Sequence, residues 1–194
     1  MTVAELQEKI AAKDSEIKSV QFNFTQEMKS GLSKEVQKAA GTAYFKKPKN
    51  LRIDQASPEK QTVVTAGKSV FIYTPRFNQA LKDSWSAWAA KNSFFPGLFG
   101  VSDTFKKLKK DYAWEVVGSE NLNGEKTLSV SLKGRDGILK FWLGESDFVP
   151  RKTEITSGTL QVTTTLVSLE LNPSLNDKLF QFSPPPGTNI IKVP

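Results

Sequence analysis

LQEKIAAKDSEIKSVQFNFTQ, Leu6 to Gln26, changes its period part-way along. As far as Ile17 the apolar residues Val3, Leu6, Ile10 and Ile17 recur at near-helical spacing, whereas from Ser19 onward Val20, Phe22 and Phe24 alternate with Gln21, Asn23 and Thr25. Spacing near 3.6 collects side chains on one helix face, and spacing of two collects them on one strand face. The chain therefore opens with an amphipathic helix and passes into a strand with one buried side. Thr2 and Glu5 stand as T-x-x-E at the helix start, a capping box in which each satisfies a backbone donor of the other.

Beyond Gln26 the period of two keeps returning. Strands are expected at 42–46, 51–55, 61–65, 69–74, 77–82, 114–119, 127–133, 138–143, 152–156 and 160–171, with turn signals between them. Asn123-Gly124 is a hairpin dipeptide, Ala66-Gly67-Lys68 joins two strands, and Gly134-Arg135-Asp136-Gly137 joins two more. Helix and strand do not alternate as a parallel sheet requires, and there is no internal repeat. The expected fold is mostly β with helices: an incomplete antiparallel β-barrel of about ten to eleven strands, since twist accumulates across a wide sheet. The barrel would wrap over the N-terminal helix and an insertion.

That insertion spans about residues 83–110, where the strand pattern stops. It holds Trp85, Trp88 and FFPGLFG, Phe94 to Gly100, in which four large apolar residues surround Pro96, Gly97 and Gly100. A permanent core element has no need of helix breakers; a movable cover does. Several strands also look apolar on both sides, with Val70 and Ile72 opposite Phe71 and Tyr73, and Phe141 opposite Trp142. Strand aromatics are more often plain core, but a curved sheet with a movable apolar cover also makes a hydrophobic pocket. Each buried methylene contributes about 0.8 kcal/mol, so an acyl chain suits such a pocket. Phe94, Phe95 and Leu98 would fill the place of the ligand when the pocket is empty, which lowers net affinity and permits release.

The 194 residues fit a single domain, 1–194, and 38% hydrophobic with 24% charged residues suits a folded chain. Histidine and cysteine are both absent, which removes Ser-His-Asp and Cys-His sites, most zinc sites and any disulfide. No catalytic residue, cofactor or metal is expected; the chain reads as a binding protein and not an enzyme. The formal charge of +7 comes from scattered lysines, with one dense cluster, KKLKK at 106–110, that reads first as a solvated helix face. Nucleic acid is not an expected partner. No run approaches the roughly 18 apolar residues of a membrane-spanning helix, and Met1-Thr2 runs directly into the helix without a secretory signal.

Several stretches, in order, resemble one family. FNFTQ (22–26), GTAYFKKP (41–48), LRI (51–53), AGKSVFIYTP (66–75) with FNQA (77–80), and FQFSPPPGTNI (180–190) are similar to LolA. Those proteins are periplasmic chaperones of Gram-negative bacteria. They take lipoproteins by their acyl chains from an inner-membrane ABC transporter and pass them to the outer-membrane receptor LolB. The resemblance implies the same transport function here, a periplasmic location, a monomer, and a signal peptide in the precursor. It implies that Lys47, at the family's arginine before proline, tethers the helical lid, with the charge kept but the planar fork lost. Ile53 stands at a family tryptophan. The candidate acyl contacts are then Leu51, Ile53, Val63, Phe71, Tyr73, Phe94, Phe95, Leu98, Phe99 and Trp142. Two alternatives share the pattern: a LolA-like carrier of another lipid or glycolipid, and a LolB-like receptor.

Overall fold

In a computed structural model of the chain, residues 1–33, 35–91, 111–135 and 137–193 are described. The helix α1 (Val3–Glu16) begins as its capping box requires: Thr2 N–H donates to Glu5 Oε2 (2.6 Å) and Glu5 N–H donates to Thr2 Oγ1 (3.2 Å). It ends where Ile17 turns extended, and the strand β1 (Ser19–Ser30) follows.

Eleven further strands follow: β2 (Gln37–Lys46), β3 (Asn50–Ser57), β4 (Gln61–Ala66), β5 (Ser69–Thr74), β6 (Gln79–Ser84), β7 (Tyr112–Leu122), β8 (Glu125–Gly134), β9 (Gly137–Gly144), β10 (Pro150–Ser157), β11 (Leu160–Leu171) and β12 (Asn189–Lys192). A second helix, α2 (Trp85–Lys91), comes directly after β6. Hydrogen bonding orders the strands β12-β6-β5-β4-β3-β2-β1-β11-β10-β9-β8-β7, an open sheet rather than a closed barrel. Each expected strand is present.

Two details differ from the sequence expectation. The segment expected as a strand from residue 77 begins as a 3-10 turn, Pro75–Phe77, because Asn78 adopts a left-handed φ of 44° and the strand starts only at Gln79. The twelfth strand, β12, was not foreseen, and it pairs with β6 in parallel. Of the insertion, β6 occupies residues to Ser84 and α2 those to Lys91; 92–110 lie outside the described residues.

The chain clusters into two compact units. The first comprises residues 1–17, 26–37 and 94–166; the second comprises 18–25, 38–93 and 167–194. In the first unit β8 and β9 pair so that Leu128 faces Leu143, Val130 faces Phe141 and Leu132 faces Leu139. Leu6 and Ile10 of α1 pack on this patch, and all eight side chains are buried in one cluster. The near-helical spacing of Leu6 and Ile10 is thus spent on the even spacing of two antiparallel strands. Arg151 fastens the neighbouring β9–β10 turn. It donates to both oxygens of Glu125 (2.8 and 2.6 Å), to Asp147 Oδ2 (2.8 Å) and to Val149 O (3.0 Å). Burial works against its charge, yet the hydrogen bonds to Glu125 and Asp147 prevail and raise its already high pKa.

In the second unit β2 to β6 form a continuous antiparallel meander. Gly41, the first residue of the GTAYFKKP stretch, lies at a register shift opposite β3, where an added Cβ would collide with the Asp54 carbonyl oxygen.

Candidate functional site

The register of the second unit decides which side chains can act together. Ala43 pairs with Ile53, Ile53 with Val63, Val63 with Ile72 and Ile72 with Leu81. Because directly opposed residues share a face, these five form one apolar row across β2 to β6. Burial along it grades from Ala43, Ile53 and Val63, all buried, to Ile72 and Leu81, both half-buried. A second row on the same face runs Phe45, Leu51, then Thr65 and Val70, all buried. Thr65 is the one hydroxyl there. The β3–β4 ladder ends at Arg52 and Val64, and the Thr65 hydroxyl then accepts from Leu51 N–H (2.8 Å) and donates to Leu51 O (3.3 Å).

Of the expected acyl contacts, Leu51, Ile53 and Val63 are brought together on this face. Phe71 and Tyr73 are not. Phe71 opposes Val64 and Tyr73 opposes Thr62, so both belong to the other side of the sheet, with Arg52 and Asp54. That side is covered by the C-terminal stretch. Phe182 stacks on Phe71 at 4.6 Å and tilts against Tyr73 at 6.1 Å, while Lys82 Nζ lies 5.5 Å from the Phe71 ring centre. Arg52 donates to Leu179 O (3.3 Å) and Lys46 pairs with Asp177 (2.6 Å). At the far end Asn78 holds the stretch through Pro186 O (3.4 Å) and the Thr188 hydroxyl (2.9 Å), and β12 follows. The FQFSPPPGTNI stretch is therefore a strap, and Phe71 and Tyr73 are the surface it packs on.

Trp142 belongs to the first unit and is also on the side away from its unit's core. It opposes Ser129 and Lys152, its indole N–H donates to Glu120 Oε1 (2.6 Å), and Lys152 Nζ stands 4.2 Å from its ring centre. Both handles of the ring are engaged. Phe94, Phe95, Leu98 and Phe99 lie outside the described residues, as does KKLKK. Lys47 is half-buried, and its backbone N–H donates to Lys18 O (2.8 Å). From the adjacent insertion, α2 packs against β5 and β6, with Trp88 buried and Trp85 stacked on it at 5.7 Å.

Ile72 and Leu81 were missed as members of the row. The signal was present: a two-residue turn at Gly67-Lys68 sets Ala66 opposite Ser69, and counting back puts Ile72, not Phe71, opposite Val63. Among the described residues no cluster of acidic side chains is placed to hold a metal ion, and no helix is long and apolar enough to cross a membrane.

The row Ala43, Ile53, Val63, Ile72 and Leu81 is uncharged along its length, and α2 packs on the two strands that end it, β5 and β6. Comparison with known proteins identifies its kind. Residues 15–183 match the family model described as outer membrane lipoprotein carrier protein LolA. The chain belongs to the LolA family. Relatives of this LolA-family chain include the outer-membrane lipoprotein carrier protein of Hahella chejuensis, 27% identical over 88% of this chain and 80% of that one. That of Legionella pneumophila (strain Lens) is 28% identical over 95% and 89%. Among solved structures, an uncharacterized conserved protein from Thermus thermophilus superposes with a TM-score of 0.67 at 10% identity, covering 100% of both chains; it is similar in fold alone. Lipoprotein carriage is thus the function named for the sequence relatives.

Proposed function

We propose that this chain is a periplasmic chaperone that binds the acyl chains of lipoproteins and carries them from an inner-membrane ABC transporter to a LolB-type outer-membrane receptor. Membership of the LolA family over residues 15–183 supports this most directly. The row Ala43, Ile53, Val63, Ile72 and Leu81 supplies the physical means, a strip of methyl and methylene groups with no charge along it. We take residues 1–194 as one carrier domain, monomeric, with residues 83–110 as its lid. In this reading Phe94, Phe95, Leu98 and Phe99 cover the row when no cargo is bound. Leu51 lies beside it on the same face, and Lys47 tethers the lid. The chemistry asked of the protein is capture and release, which needs no catalytic group or cofactor.

A hydrophobic probe titrated into the protein should saturate at about one per chain, and a triacylated lipopeptide should displace it. Lys47→Leu should then alter the rate of lipopeptide release. Non-saturable binding would overturn the carrier reading. Saturable binding that the lipopeptide leaves untouched would transfer it to a carrier of another lipid.

A further inference from the structure

At one end of the second unit's strands, where β2 and β4 finish and β1, β3 and β5 begin, lysines gather. Lys18 precedes β1, Lys46, Lys47 and Lys49 surround the β2–β3 turn, Lys68 occupies the β4–β5 turn, and Lys178 follows the Asp177 that holds Lys46. Backbone contacts bring them together. Lys47 N–H donates to Lys18 O (2.8 Å), Leu51 N–H meets the Thr65 hydroxyl (2.8 Å), and Trp85 N–H donates to Lys68 O (2.9 Å). Lys18, Lys49, Lys68 and Lys178 are exposed. The carboxylates of this unit at the same end are Asp83, which accepts from Ser84 N–H (2.7 Å), Glu170, and Asp177 in its pair with Lys46.

We propose that this lysine-rimmed end docks on an anionic membrane surface. Two features favour a lipid surface over an acidic protein. First, the rim uses lysine alone. Arg52, in β3, is engaged with Asp54 (2.7 Å) and Leu179 O (3.3 Å). Compact ammonium charges without a planar fork suit diffuse anionic headgroups, and lysine is depleted in protein–protein interfaces. Second, the rim carries a tryptophan. Trp85 is half-buried, stacked on Trp88 at 5.7 Å, and fixed to Lys68 by its own N–H. An amphipathic ring beside basic residues is the pattern of side chains that rest at headgroup level.

The surface does not depend on the cargo reading, because the test uses the protein without lipopeptide. Flotation with vesicles of phosphatidylcholine alone and of phosphatidylcholine mixed with phosphatidylglycerol should show binding only to the mixed vesicles. Binding should weaken as salt is raised. At about five-fold per lysine, Lys18→Gln/Lys49→Gln/Lys68→Gln together should lower partition by about a hundredfold. A control of equal charge, Lys126→Gln/Lys133→Gln/Lys140→Gln in β8 and β9, should leave it unchanged, and Trp85→Ala should reduce it several-fold. Equal loss from the two lysine triples would assign binding to net charge and overturn the proposal. So would absence of vesicle binding, including the case in which the protein binds only an acidic polypeptide such as polyglutamate.

Discussion

Residue by residue, the decisive contrast is between Ile53 and Phe71. Both are large apolar strand residues from family-like stretches, yet register sends Ile53 into the apolar row and Phe71 beneath Phe182. They should fail differently on truncation. Phe71→Ala is expected to destabilise by about 1–3 kcal/mol, the lost burial of a partly covered ring plus a stacking partner. In the folded protein its acyl affinity should stay at the parent value. Ile53→Ala should weaken acyl binding instead. A double-mutant cycle of Phe71→Ala and Phe182→Ala should show coupling of about 0.5–1.5 kcal/mol, measured from denaturant midpoints. Reduced acyl affinity in Phe71→Ala with no change in Ile53→Ala would reverse the two faces.

Among the elements, α1 was the most legible and β12 the least. The helix announces itself through T-x-x-E, and the same contact makes it pH-sensitive. Hydrogen bonds from Thr2, first from its backbone N–H, hold the Glu5 carboxyl below its usual 4.5. A lowered folded pKa means that the contribution is fully present above pH 4.5 and is lost as the pH falls through the lowered value. The stability difference between the parent and Glu5→Gln should therefore be constant at neutral pH and close on acidification, which denaturant titrations across that range would measure. A gap that persists at low pH would show that the capping bond is not its source. By contrast β12 has four exposed residues, no alternation to bury and a parallel partner far earlier in the chain. Nothing local marks it as a strand. The strap that delivers it is held by Phe182 on Phe71 and Tyr73 and by Asn78 to Pro186 and Thr188, contacts that exist only once β5 and the turn into β6 are in place.

For the molecule as a whole, carrier action depends on whether FFPGLFG is cover or core. A cover uses Phe95 and Leu98 as packing only when cargo is absent, and such segments come from the less stable part of a structure. On the proposed function, Phe95→Ala should then change acyl affinity and transfer to a LolB-type receptor while shifting the denaturant midpoint little. A permanent core position would instead lose roughly 3–5 kcal/mol on the same substitution, with affinity unchanged in the folded fraction. That second result would remove the lid from the mechanism.

Much of this protein can be read without coordinates, and the reason is local. Helix α1, the strands up to β11 and the Asn123-Gly124 turn are set by periodicity, turn chemistry and capping, each confined to a few neighbouring residues. Which apolar residues face one another is a different kind of fact. Every strand has two sides, and composition is nearly mute between them when Val70 and Ile72 alternate with Phe71 and Tyr73. The expected acyl contacts accordingly mixed the two sides, Leu51, Ile53 and Val63 with Phe71 and Tyr73. Pairing across β3, β4 and β5 instead gave the row to Ile53, Val63 and Ile72, and Phe182, arriving from far along the chain, covered the aromatics. A side chain's face follows from hydrogen-bond register and from what distant segment packs on it, and neither is a property of the residue's own neighbours.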